Sequence, residues 1–235
     1  MSTAAQEAAE SAGKIFESVY GTAPTGLFAA PGRVNVIGEH TDYNQGFVMP
    51  AAINFSCWVG AAPRVDGRLA IHSENFGEDV KVEIGNTAAW PRTGWASYPL
   101  GVAWALMQAG YPLKGCSLYI AGEVPLGSGL SSSAAIEVAT ALALLENSDT
   151  SMDKKSLALL CQRAENEYVG ARCGIMDQFI SAHGLRDYAL MLDCRSLAYE
   201  LLPLPLTIKQ SMLEINDCEV RLKVIAQFLK EQGVL

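Results

Sequence analysis

Apolar residues recur at helical spacing at Ala8, Ala12, Phe16 and Val19, and Gly21 and Pro24 then close the pattern, which predicts an opening helix lying over a sheet. Val34, Val36 and Ile37 predict a buried strand that ends in charge, and residues 47–60 return to apolar character, so the two read as strands around a loop. Leu69 and Ile71, then Val80, Val82 and Ile84, alternate with polar residues around turn chemistry at 75–79, predicting a hairpin. Residues 98–109 predict a mostly buried helix, and Leu118 and Ile120 begin a strand that runs into Pro125 and a Gly/Ser loop. Ala135, Val138, Ala139, Leu142 and Leu145 stripe the next helix, which closes at 147–150. Another helix is expected to start from a capping box at Thr150-x-x-Asp153, with Leu157, Leu160, Cys161, Ala164 and Tyr168 on one face and a stop at Gly170. Strands are predicted over 188–193 and 197–202. Hairpins mixed with helices, without strict alternation, predict an α+β domain rather than a doubly wound sheet.

Half of the 235 residues are hydrophobic and 18% are charged, enough for a sizeable core. The 17 basic and 25 acidic residues leave a net charge of −8 without long blocks of either sign, so neither nucleic acid nor an anionic membrane is an expected partner. The first 25 residues have no basic and apolar leader pattern, and no run approaches 18 apolar residues, which predicts a cytoplasmic protein. The six cysteines are widely spaced without a C-x-x-C pair and are expected to be buried reduced thiols. Oligomeric state leaves no signature in the sequence.

Three stretches carry candidate chemistry. In "VPLGSGLSSSAA", residues 124–135, a strand feeds two glycines and three serines before an amphipathic helix. Gly127 and Gly129 permit open dihedrals and close approach to an anion, and the helix N-terminus faces it with free amides. No lysine lies in the stretch, so a P-loop of the GxxxxGK[ST] type is disfavoured, and on its own the stretch reads equally well as serines capping a helix. In "CGIMDQF", residues 173–179, Asp177 sits among Ile175, Met176 and Phe179, a costly place for a carboxylate without a partner. It reads as a base, a charge stabiliser, an N-cap or half of a salt bridge. Upstream, Glu165 and Glu167 share one helix, and the sequence does not choose between them. The third stretch, "PGRVNVIGEHTDYNQG", residues 31–46, crowds Arg33, Glu39, His40 and Asp42 together. With only His72 and His183 elsewhere and no metal-ligand spacing, sugar hydroxyls suit this loop better than a metal, leaving Arg33 for negative charge. A nucleophilic serine among Ser131, Ser132 and Ser133 lacks both G-x-S-x-G and a partner loop.

"GRVNVIGEHTDYN", "PLGSGLSSSAA" and "CGIMDQF" together resemble the successive motifs of the galactokinase family, within the GHMP small-molecule kinases, over residues 28–205. The resemblance implies a GHMP-kinase N-terminal domain over 1–208 and transfer of the γ-phosphoryl group of ATP to the C1 hydroxyl of galactose. It further implies Asp177 as catalytic base with Arg33 beside it, and Glu39, His40, Thr41, Asp42 and Gly174 around the sugar. Gly127, Ser128, Gly129, Leu130, Ser131, Ser132 and Ser133 would hold the ATP phosphates, Ser73, Asn75 and Trp95 would lie near the adenine, and Ser133 with Glu165 would ligate Mg²⁺. The lysine-free loop suits phosphoryl transfer, which needs alignment and charge neutralisation more than covalent participation.

From about residue 209 the chain departs from the family's pattern. The family continues into a second domain with a glycine-rich motif, whereas Gly233 is the only glycine after Gly184. Val220, Val224, Phe228 and Leu229 suggest a short helix in a divergent tail over 209–235. The expectation is therefore a truncated catalytic half, with kinase activity weak or lost because the cleft lacks its other wall. A silent galactose and ATP sensor, or a kinase for a related hexose such as N-acetylgalactosamine, are the alternatives.

Overall fold

The structure, a computed structural model, describes residues 3–204. The tail pattern at Val220 to Leu229, Cys218 and the expected boundary at 208 lie outside the described residues. The fold is α+β, as expected, built on one mixed sheet of seven strands.

The centre of the sheet is β2 (Phe47–Arg64), which pairs along one edge with β1 (Gly26–Ile37). Its other edge takes β5 (Gly115–Gly122) over its C-terminal half and β6 (Tyr188–Asp193) over its N-terminal half. The hairpin β3 (Arg68–Ser73) and β4 (Glu78–Glu83) extends the sheet through a parallel β3–β5 pairing, and β7 (Tyr199–Pro203) closes the far side against β6. Register shifts interrupt β1 between Pro31 and Arg33 and between Asn35 and Ile37, so this long strand bends where it meets the site.

Alternation decides which face each residue serves. Cys57, Val59, Ala61, Leu118 and Ile120 face the main core, packed under α2 (Ser97–Gln108), α3 (Ser132–Asn147) and α4 (Lys154–Arg163). Trp58, Ala62 and Tyr119 point to the opposite face and meet Ala12 and Phe16 of α1 (Thr3–Tyr20). Both faces of β5 are thus covered, which is why 115–120 is buried without a break and no alternation marks it. On α1 the expected Val19 is exposed, and Tyr20 reaches the sheet instead, its hydroxyl donating to the carbonyls of Ala70 and Leu118 at 3.0 and 2.8 Å.

Two expectations need correction. Helix α4 starts after Asp153, whose carboxylate accepts from the Ser156 amide at 3.0 Å, so the cap lies three residues beyond the proposed Thr150. Thr150 instead donates to the Leu145 carbonyl, finishing α3. The last strand begins at Tyr199, because Leu197 adopts a positive φ of 58° in the turn before it.

Cys57, Cys116 and Cys161 are buried free thiols, while Cys173 and Cys194 are free and half-buried. No described helix is long and apolar enough to cross a membrane.

Candidate functional site

The three stretches meet where the bend in β1, the loop before α3 and the N-terminus of α5 (Met176–His183) converge. At the β1 bulge the Arg33 amide donates to the Leu130 carbonyl at 3.0 Å. A side chain at Gly32 would place its Cβ 2.6 Å from that same carbonyl oxygen, so only glycine lets the strand lie against the loop. In the loop Gly127, Gly129 and Ser131 all take positive φ, at 69°, 71° and 60°. Alternate left-handed residues turn successive amides to one side, a concavity suited to anions.

The serines do not act as simple caps. Ser131 occupies the N-cap position of α3 but makes no side-chain cap hydrogen bond. Its hydroxyl donates to Asp177 Oδ2 at 2.5 Å, and Ser128 donates to the Pro125 carbonyl at 2.7 Å. The N-terminus of α3 therefore keeps its positive end uncapped by any side chain and directed at the loop.

Asp177, in the first turn of α5, is gripped by Arg33 in a two-point pair, Nε to Oδ1 at 2.8 Å and Nη2 to Oδ2 at 2.9 Å. Arg33 Nη1 donates onward to the Gly129 carbonyl at 2.5 Å. The side chains are 14% and 25% exposed, so the pair is largely withdrawn from water yet open on one side. Of the two structural readings left open for Asp177, the salt bridge is present, and the N-cap belongs to another residue. Asp42 fills that role from the charged loop, accepting from the amides of Ile175 at 2.8 Å and Met176 at 3.2 Å. Burial pushes the Asp42 carboxyl above its ordinary range, against the pull of those amides. Gly174 is required beside it: a Cβ there would lie 2.0 Å from Asp42 Cγ.

The rest of the charged loop is outward. Glu39 and His40 are exposed, His40 Nδ1 lies 2.7 Å from the Tyr43 hydroxyl, and Thr41 donates to the carbonyls of Gly38 and Phe47 at 3.1 and 2.6 Å, closing the turn. Neither Glu39 nor His40 is hydrogen-bonded to Arg33 or Asp177.

Ser73, Asn75 and Trp95 lie together, lining a cavity of about 330 Å³ with Phe76, Tyr98, Gly127, Ser132 and Ser133. Phe76 stacks on Trp95 with ring centroids 6.0 Å apart and planes 10° from parallel. Asn75 is locked in a reciprocal pair with the Gly122 backbone, 2.9 and 2.7 Å, continuing the sheet edge toward the loop. The cavity thus runs from an aromatic end to the glycine and serine loop.

Behind Ser133 stands a group of buried carboxyls. Arg163 ends α4, and the chain continues through a π-helical turn, Ala164–Val169, which Gly170 stops at a positive φ of 85°. The wider turn brings Glu165 inward, only 6% exposed, while Glu167 faces solvent and pairs with Arg163 at 3.0 Å. Glu165 contacts Ser133, accepts from Gln178 Nε2 at 2.5 Å, and receives the Cys173 thiol at 3.4 Å. Burial raises its affinity for a proton. Sequence reading missed Glu137 and Gln178, both fully buried and joined by a 3.1 Å hydrogen bond from Gln178 Nε2. A signal was available for Glu137, the one charged residue between Ser133 and Glu146 on a helix that is otherwise nearly apolar.

A glycine-rich elbow feeding a helix, with an acid and an arginine hydrogen-bonded to it beside a mixed sheet, defines a class. The GHMP kinases N terminal domain profile matches residues 97–185, and the chain carries a GHMP-kinase N-terminal domain. The Methanococcus jannaschii mevalonate kinase shares this fold, with a TM-score of 0.68 at 15% identity over 87% of this chain and 72% of that one. Within the class the chain groups with the galactokinases, whose galactose-binding signature matches residues 14–63. A galactokinase of Streptomyces coelicolor is 45% identical over 210 residues, 89% of this chain and 54% of that protein. The Lactococcus lactis galactokinase, solved in complex with galactose, superposes with a TM-score of 0.78 at 36% identity over 84% of this chain and 52% of that one. The chain spans about half the length of these relatives.

Proposed function

We propose that residues 1–208 are a sugar-kinase catalytic domain that binds galactose beside Asp177 and ATP along the aromatic cavity and glycine loop, and transfers the γ-phosphoryl group to the sugar's C1 hydroxyl. The observation that carries this reading is the two-point Arg33–Asp177 pair set against the uncapped N-terminus of α3. The galactose-binding signature and the galactose-bound relative support the choice of sugar.

In this reading Asp177 accepts the C1 hydroxyl proton as the oxygen attacks phosphorus. Arg33 holds Asp177 in its ionised, oriented state and sets its positive charge against the negative charge on the phosphoryl oxygens. Ser131 fixes the second carboxylate oxygen. Loop amides from Gly127 to Ser133 cradle the phosphates, the Phe76–Trp95 pair and Ser73 border the base, and Asn75 holds the cavity floor. Glu39, His40, Thr41, Asp42 and Gly174 shape the sugar end, Asp42 and Gly174 by fixing the N-terminus of α5.

Magnesium fits the residues present. Glu165 and Asp177 bring acid to one place beside the serine loop, where Arg33 pairs with Asp177 alone. Ser133 and Glu165 offer the hard oxygen donors that Mg²⁺ prefers, with the nucleotide's phosphates to complete its coordination. When bound with the nucleotide, the ion would neutralise phosphate charge.

Calorimetry on the purified chain with galactose, glucose and Mg²⁺ with a non-hydrolysable ATP analogue, beside a phosphoryl-transfer assay, tests the proposal. The expected result is galactose and nucleotide binding that D177N preserves, with the weak turnover expected of this half-length chain disappearing in D177N. Equal affinity for galactose and glucose, or no nucleotide binding, refutes it.

A further inference from the structure

Gln178 presents one amide nitrogen to two buried carboxyls, Glu165 at 2.5 Å and Glu137 at 3.1 Å. Two carboxylate charges sharing one neutral amide with almost no exposed surface are costly to keep. The atoms left over are equally informative. Among the described residues Glu137 Oε1 and Gln178 Oε1 are both buried and both lack a hydrogen-bond partner. Each belongs to a group whose other atom already joins the same bond, since Gln178 Nε2 donates to Glu137 Oε2. A proton on Glu137 Oε1 turns that acceptor into a donor, and the carbonyl it then suits is Gln178 Oε1.

We propose that Glu137 is a neutral carboxylic acid that holds the Gln178 amide at two points, and that Gln178 in turn fixes Glu165 toward Ser133, making Glu137 and Gln178 positioning residues for the proposed cation site. One Gln178 N–H then serves Glu137 and the other Glu165, and every polar atom of the pair is satisfied. Burial and the nearby Glu165 both push the Glu137 carboxyl well above its ordinary range, in keeping with a bound proton. Neither residue lines the cavity, and Gln178 meets Glu165 directly, so their effect on the site passes through the orientation of Glu165.

The link to the cation rests on the reading under Proposed function, while the acid–amide pair does not, and the tests separate the two. Infrared difference spectra of the folded chain at neutral pH, parent against E137Q, are expected to show the carbonyl stretch of a protonated carboxyl that E137Q lacks. Absence of that band overturns the acid–amide pair whatever the chain binds. For positioning, a fluorescent or calorimetric titration of ADP is run with Mg²⁺ and with EDTA. E137Q, whose amide can both donate to and accept from Gln178, is expected to stay within about twofold of the parent. E137L and Q178L are expected to lose roughly tenfold or more in the presence of Mg²⁺, the range for losing a residue that orients a metal ligand, and to match the parent in EDTA. Equal losses for E137Q and E137L, or unchanged Mg²⁺-dependent affinity in both leucine variants, overturn the positioning role. If E137L does not fold, Q178L carries the test alone. Failure of the parent to bind nucleotide at all counts against the kinase reading and the cation link together, and leaves the infrared result to decide the pair.

Discussion

Asp42 and Gly174 are 132 residues apart, yet each requires the other, and a double-mutant cycle exposes that dependence. The Asp42 carboxylate caps α5 by accepting from the Ile175 and Met176 amides, with Met176 reaching both oxygens at 3.2 and 3.3 Å. D42A leaves these amides at the buried foot of the helix without that acceptor. Loss of a cap combined with half-buried unsatisfied donors is expected to cost about 2 kcal/mol. Gly174 does not take a positive φ, so alanine is not strained by its own backbone. Its Cβ would instead fall 2.0, 2.1 and 2.3 Å from the three carboxylate atoms of Asp42, which must leave. G174A is therefore expected to cost about the same 2 kcal/mol by ejecting the same cap. With alanine at 42 the space is empty, and G174A should then be neutral or gain about 0.5 kcal/mol from a less flexible unfolded chain. The double variant is thus expected near the cost of D42A alone, a coupling of about 2 kcal/mol. Urea unfolding followed by circular dichroism measures this, each single change moving the midpoint by about 1 M for a slope of about 2 kcal/mol per M. Additive losses, or a G174A variant as stable as the parent, refute the reasoning.

Other outcomes follow from the same geometry. Glu137 binds its proton more tightly folded than unfolded, so as pH rises above the ordinary glutamate value of 4.5 the unfolded chain releases that proton first and stability falls. E137Q has no such proton to lose, and thermal melts should show its stability relative to the parent growing from pH 5 to pH 8; a constant difference argues against a retained proton. R33K keeps a charge but cannot make the two-point contact with Asp177, so turnover should fall nearly as far as in R33A, measured by phosphoryl transfer to galactose. F76A removes the ring stacked on Trp95 and should weaken nucleotide binding by roughly tenfold in a fluorescence titration while leaving galactose affinity unchanged.

Much of the fold was legible because local pattern and burial agreed. The β3–β4 hairpin alternates as a half-covered sheet must, α3 carries its stripe, and the three chemistry-bearing stretches stand out because charge or glycine interrupts apolar runs. Legibility failed where the cause of a feature lies elsewhere in the chain. Thr150-x-x-Asp153 satisfies the pattern of a capping box, but Thr150 is occupied in closing the preceding helix. Strand β5 shows no alternation because α1 covers the face that would otherwise meet water.

The sequence by itself determined the chemical inventory of the site: an arginine on a strand, a glycine and serine loop before a helix, an aspartate in an apolar stretch, and a sugar-suited loop. Local spacing is enough for that, because each motif is built within a dozen residues. Only the tertiary structure decided which partner each group takes. It set Asp177 on Arg33 and Ser131, gave the cap of α5 to Asp42, turned Glu165 inward and Glu167 out through a π-helical turn, and joined Glu137 to Gln178. A hydrogen bond across 41 to 144 residues depends on how strands and helices stack, and no local pattern encodes that.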